Sequence, residues 1–299
     1  MRNDTGQNSG IHVRPKTAAV VFSIACVAVL SHGMRRMRAE KKRRSQNEAS
    51  LSGSERIART MQDALTPLCG PSLQGLEVAL SHHLQTAPGL AKIGGDFYDL
   101  FLLPNGEIGF TIGDISGHGI DAAAYHGMVR GAIRALGLQN LEPAVVMSAT
   151  NKYLCSEFKS GLFVTAVYGK LSVKTGTVTM CIAGHPKPFI LLPSGIRDFR
   201  SVQSPLLGFA EDGEYTSFDF RLEENESIVL FTDGITEAHN ERGEEFGFKR
   251  LAESMVHNRG RTPDDTVAAL FRIVDDFCGK KEPNDDRAVL AIRREKFRG

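Results

Sequence analysis

The chain has 299 residues, 41% of them hydrophobic and 24% charged, with 36 basic side chains against 35 acidic ones and a formal charge of +1. That is the balance of a globular protein with a sizeable core, and the whole chain carries no electrostatic footprint of a nucleic-acid binder. Five cysteines, an odd number at wide spacing with no C-x-x-C pair, argue against a disulfide framework or a thiolate zinc site and fit a reducing compartment.

Residues 1–16 read as a tail, and residues 17–34 (TAAVVFSIACVAVLSHGM) as an uncharged apolar run. Its length is near the short limit of the roughly 17–25 residues that a membrane-spanning helix needs. The basic cluster RRMRAEKKRR at 35–44 outweighs Arg14 and Lys16 on the other side, which places the C-terminal side in the cytoplasm by the positive-inside rule. The expectation is a single-pass anchor in the inner membrane. A signal peptide or a buried soluble helix are the alternatives, but SHGMRR is a poor cleavage site and the run has no polar face.

A basic linker is expected over 35–53 and a helix over 54–67, capped by Ser54 and ended by Pro67. Ile57, Met61 and Leu65 share one face of that helix, which either packs on its own domain or couples a signal and dimerises. Residues 68–299 then form one domain. Strands are expected at 76–80, 95–103 and 107–115, with a hairpin turn at Pro104-Asn105-Gly106. Helices follow at 120–136 and 142–158. Strands return at 162–173 and 177–183 across a Lys174-Thr175-Gly176 turn, then at 188–192, 216–222 and 227–233. Helices at 247–257 and 263–277 precede a last strand at 288–293. Hairpin-linked strands with helices inserted in groups predict an α+β layered sandwich rather than a doubly wound parallel sheet.

Four acidic clusters stand at strand ends: Asp96 and Asp99 in GGDFYD, Asp114 in GDISGHG, Asp233 in FTDG, and Asp285 with Asp286 in NDD. A carboxylate beside a run of Val, Ile, Leu or Phe is expensive to bury unpaired. A hard divalent cation offsets that cost, and carboxylate oxygens suit Mg²⁺ or Mn²⁺. Each motif alone also reads as a plain turn. The four together, in this order, are far more specific.

These stretches, with RIARTMQDALTP, FVTAVYGKL, AGHPKPFIL, PLLGF, VLFTDGITEAHNERGEEFG and DDRAVLAIR, resemble the bacterial metal-dependent serine/threonine protein phosphatases of the PPM (type 2C-like) class, in the SpoIIE/RsbU-like branch. The resemblance runs from about Ser54 to Arg293. It implies a four-layer αββα sandwich, two antiparallel sheets flanked by helices, with two Mn²⁺ or Mg²⁺ ions in the cleft between the sheet ends. Asp114 would bridge both ions, Asp96 would hold one directly or through water, the Ile115 carbonyl would add a ligand, and Asp233 and Asp285 would complete the set. A water activated by the two ions would attack phosphorus in line. Asp99, His118, Glu237 and Asp286 would stand behind the ligands, with His118 either supplying a proton or only shaping its turn. His185 is expected to be structural. The family's usual substrate is a phosphoserine protein that antagonises an anti-sigma factor; a homodimer through 54–65 belongs to the coupling reading of that helix, not to the resemblance. Two positions depart from the pattern: Ala288 stands where Thr is frequent, and Asp121 where a small residue or Pro is. A catalytically weak phosphoprotein-binding module and a membrane-tethered scaffold are the competing readings.

Overall fold

The computed structural model describes residues 78–85, 95–117, 120–158, 161–283 and 285–295, with the backbone alone over 78–85 and 120–124. Contacts divide the chain into two units, Met1–Arg56 and Ile57–Gly299, and every described residue lies in the second. The expected anchor at 17–34, the linker at 35–53 and the helix at 54–67 lie outside the described residues. Among the described residues no helix is long and apolar enough to cross a membrane.

In chain order the elements are β1 (Val78–Gln85), β2 (Phe97–Leu102), β3 (Ile108–Ile115), α1 (Ile120–Gly137), α2 (Pro143–Glu157), β4 (Val164–Leu171), β5 (Thr177–Ala183), β6 (Phe189–Leu192), β7 (Gly195–Arg197), β8 (Gln203–Ser204), β9 (Phe218–Arg221), β10 (Ser227–Phe231), α3 (Asp233–Thr236), α4 (Gly247–His257), α5 (Pro263–Cys278) and β11 (Arg287–Arg294). One sheet has the order β1-β11-β10-β6-β7. The other has the order β2-β3-β4-β5-β8, with β9 also pairing on β5. All pairings are antiparallel except β5 with β8, which run parallel over two residue pairs. The expectation of purely antiparallel sheets is corrected by that one contact.

Side chains alternate between the two faces of a strand, and the alternation builds the layers. From β2 and β3, Tyr98, Leu100, Ile108, Phe110 and Ile112 meet Ile228 and Leu230 of β10 and Ala288, Leu290 and Ile292 of β11 in a core between the sheets. The opposite parity, Phe97, Phe101 and Ile115, packs with Val129 and Ile133 of α1 and Val146, Met147 and Leu154 of α2. On the other sheet, Val229, Phe231, Val289 and Ala291 pack against Leu251 and Met255 of α4 and Val267, Leu270 and Val274 of α5. Helices therefore cover the outer face of each sheet. Each fully buried Leu or Ile contributes ~1.5–3 kcal/mol relative to exposure.

Local chemistry sets the helix ends. The Thr262 side chain accepts from the Asp265 N–H at 3.2 Å and caps α5, Pro263 occupies the first turn, and Asp264 and Asp265 put negative charge at the positive end of the helix dipole. On α2, Pro143 takes the first-turn position, where its missing N–H loses no helix bond.

Candidate metal centre

The same alternation that builds the core aims the acids. On β3, Ile108, Phe110 and Ile112 face the inter-sheet core, so Asp114 shares their face. On β11, Ala288 and Leu290 face it, so Asp286 does too. Ahead of β2, Asp96 keeps the parity of Tyr98 and Leu100. Antiparallel pairing sets the end of β3 beside the start of β2, and the end of β10 beside the start of β11. Carboxylates from both sheets thus gather along one edge.

Asp96 and Asp286 are buried, Asp114 and Asp233 half-buried, and Asp285 exposed. Burial, and then the charges of Asp233, Asp285 and Asp286, push the Asp114 carboxyl up to about 8. Asp96 is raised well above the usual carboxylate range by burial, and next by Asp114. Burial and Asp285 raise Asp233, and Glu237, exposed at the rim, is raised by slight burial and then by Asp233. These groups repel one another in a setting that disfavours charge, which is the electrostatic profile of a cation site.

Backbone approaches the acids closely at two glycines. A Cβ at Gly95 would collide with both Asp114 Oδ1 and the Ile115 carbonyl oxygen. A Cβ at Gly234 would collide with the Asp286 carbonyl oxygen. Glycine is needed at each because only it lets the main chain come so near. Among the described residues no three His, Cys, Asp or Glu side chains already enclose a single point. The donor set is nonetheless of hard oxygens, carboxylates plus a carbonyl, which fits Mn²⁺ or Mg²⁺.

One further residue lies inside the FTDG motif without being its acid. Thr232 is fully buried between Phe231 and Asp233. Its hydroxyl donates to Asp96 Oδ2 at 2.6 Å and accepts from the Ala288 N–H at 2.8 Å, while its own N–H donates to the Ala288 carbonyl at 3.1 Å. At position 288 it is the main chain, not a side-chain hydroxyl, that serves this edge. His126 on α1 was also missed. It lies edge-on to Phe97 at 5.7 Å between centroids, and burial, then Arg130, push it down to about 4, so it is neutral at physiological pH.

One expected participant sits elsewhere. Asp99 has the parity of Phe97 and Phe101, and its carboxylate takes Arg134 of α1 at 2.8 Å on both oxygens. It belongs to the helix side of the sheet, not to the acidic edge. His118 lies outside the described residues. Asp286 is the buried member of its pair, and Asp285, whose side chain accepts from the Asp286 N–H at 2.8 Å, is the exposed one. His185 is buried against Thr165 at 3.0 Å, and burial pushes it down to about 3.

Two face-packed sheets sheathed in helices are the architecture of PP2C-type phosphatase domains. The SiaA-PP2C domain of Pseudomonas aeruginosa superposes with a TM-score of 0.66 at 19% identity, covering 85% of this chain and 98% of that one. A model of the family described as Stage II sporulation protein E (SpoIIE) matches residues 104–295. The chain belongs to the SpoIIE family and carries a bacterial PPM-type serine/threonine phosphatase domain of the SpoIIE/RsbU branch. Among curated relatives, Protein IcfG of Synechocystis sp. is 25% identical over 227 residues, which is 67% of this chain and 35% of that protein. Phosphoserine phosphatase RsbU of Bacillus subtilis is 26% identical over 208 residues, 68% of this chain and 60% of that protein. The chain thus spans less than two thirds of the length of either relative.

Proposed function

We propose that the chain is a metal-dependent protein phosphatase that hydrolyses phosphoserine on a regulatory protein. The observation that carries this reading is the gathering of Asp96, Asp114, Asp233, Asp285 and Asp286 from both sheets on one edge, with mutual repulsion that a cation would relieve. Asp96, Asp114, the Ile115 carbonyl, Asp233 and Asp285 would hold two Mn²⁺ or Mg²⁺ ions, with buried Asp286 beside them. When bound, the ions supply charge neutralisation for the phosphoryl group and a water of lowered pKa.

The chain's own residues then orient and exclude. Asp114, fixed on β3, presents its carboxylate at the space beside Gly95. Glu237, exposed next to Asp233 and Asp285, is placed to orient water at the rim. His126 stays neutral and adds no competing positive charge. Burial pushes the thiols of Cys155 and Cys181 up, away from the reactive thiolate.

The likeness to phosphoserine phosphatase RsbU supports a phosphoserine protein as substrate, of the kind that antagonises an anti-sigma factor. Residues 17–34 would tether the domain to the inner membrane with the catalytic unit in the cytoplasm, and residues 54–65 would join two copies. The test is release of phosphate from phosphoserine, phosphothreonine and phosphotyrosine peptides by the purified full chain with Mn²⁺. Preference for phosphoserine is expected. Tight binding of the phosphoserine peptide with no turnover under any metal would instead make the chain a phosphoprotein-binding module.

A further inference from the structure

We infer that Thr232 is a positioning residue of the metal centre, holding the Asp96 carboxylate in one rotation for cation binding; the inference rests on the metal-dependent reading above. The directions of its hydrogen bonds follow from valence. The Ala288 N–H is only a donor, so at 2.8 Å the Thr232 oxygen must accept there. The single hydroxyl proton then remains for Asp96 Oδ2 at 2.6 Å. That donation fixes the direction in which Asp96 Oδ2 faces, and with it the rotation of the carboxylate.

The bond also spans the fold. Thr232 follows β10 of one sheet, and Asp96 precedes β2 of the other. The hydroxyl therefore ties the two sheets at the edge where their carboxylates gather. Both ends are buried: Thr232 is 0% exposed and Asp96 3%. The hydroxyl is held from behind by β11 through Ala288, so it cannot rotate away without leaving a buried N–H unpaired. Replacing it removes a fixed partner of a candidate ligand, a change that typically lowers metal affinity by about 10- to 100-fold.

The experiment measures the Mn²⁺ concentration that gives half of the full thermal stabilisation of the chain, together with the Mn²⁺ dependence of phosphate release. Thr232→Val keeps the shape and loses the hydroxyl. It should raise the half-saturating Mn²⁺ concentration about 10-fold. Thr232→Ser should restore it to near the wild-type value. In an Asp96→Asn background, Thr232→Val should add no further shift, because the two residues act through one bond. Thr232→Ala serves as the second variant if Thr232→Val does not fold. An unchanged half-saturation in a folded Thr232→Val or Thr232→Ala chain overturns the inference and leaves the metal reading intact. So does an equal shift in Thr232→Ser, or a full additional shift in the Asp96→Asn background. A wild-type chain that Mn²⁺ does not stabilise overturns the metal reading itself, and the inference falls with it.

Discussion

At the scale of single residues, the acidic edge makes opposite demands on folding and on function. Asp96 and Asp114 are held above the unfolded carboxylate value of ~3.9, Asp114 at about 8. The metal-free native state therefore binds protons that the unfolded chain has released. The contribution of these two groups is fully present below about pH 4 and is lost as pH rises toward 8. Thermal midpoints of the metal-free chain are expected to fall across that window, and the stabilisation given by saturating Mn²⁺ to grow across it, since cation displaces proton. Asp114→Asn should raise the metal-free midpoint most at the alkaline end of that window, where it removes a repelled charge, and abolish the response to Mn²⁺. Much of this edge is legible in the sequence, because four acidic clusters recur in order at the ends of apolar strands, although each alone also reads as a plain turn. What is not legible is which of two neighbouring acids turns inward. Parity along β2 and β11 decides that, pointing Asp99 at Arg134 and burying Asp286 while Asp285 stays exposed. Thr232 escapes a search for charged groups altogether, since its importance lies in the direction of one hydroxyl proton.

At the scale of elements, the helices and longer strands match the hydrophobic patterns closely. The expected helix at 247–257 is α4 to the residue, and 263–277 differs from α5 only by Cys278. The first strand shifts from 76–80 to Val78–Gln85, a register set by pairing with β11 rather than by its own pattern. The expected strand 227–233 stops at Phe231, and a short helix, α3, begins at Asp233. Short β7 and β8 are absent from the sequence pattern because they exist through their partners β6 and β5. Two substitutions test the elements that carry the site. Gly234→Ala should push the Asp286 main chain from α3 and abolish activity, whereas Gly131→Ala, with open space around its Cβ site inside α1, should stabilise the chain by about 0.5–1 kcal/mol, read by thermal or urea unfolding. Arg134→Ala leaves buried Asp99 without its ion pair. It should cost roughly 2 kcal/mol, below the ~3–5 kcal/mol of a fully buried pair, because the Arg134 side chain is 42% exposed.

At the scale of the whole molecule, the function depends on bringing together segments that are far apart in the chain. Asp96 and Asp114 belong to one sheet, and Asp233, Asp285 and Asp286 to the strand ends of the other. The hydrogen bond from Thr232 to Asp96 joins positions 136 residues apart. No local pattern shows that β11 lies between β1 and β10, or that the two sheets meet with their acidic ends on the same side. The first is set by strand pairing and the second by the shared inter-sheet core.

The most direct test of the account is phosphate release by the purified full chain from a phosphoserine protein and from p-nitrophenyl phosphate, with Mn²⁺, with chelator, and with Asp114→Asn. The account predicts turnover with Mn²⁺, none with chelator, recovery when Mn²⁺ is restored, and a loss of more than about 100-fold in the folded variant. Turnover that survives chelation and the loss of Asp114 would contradict it.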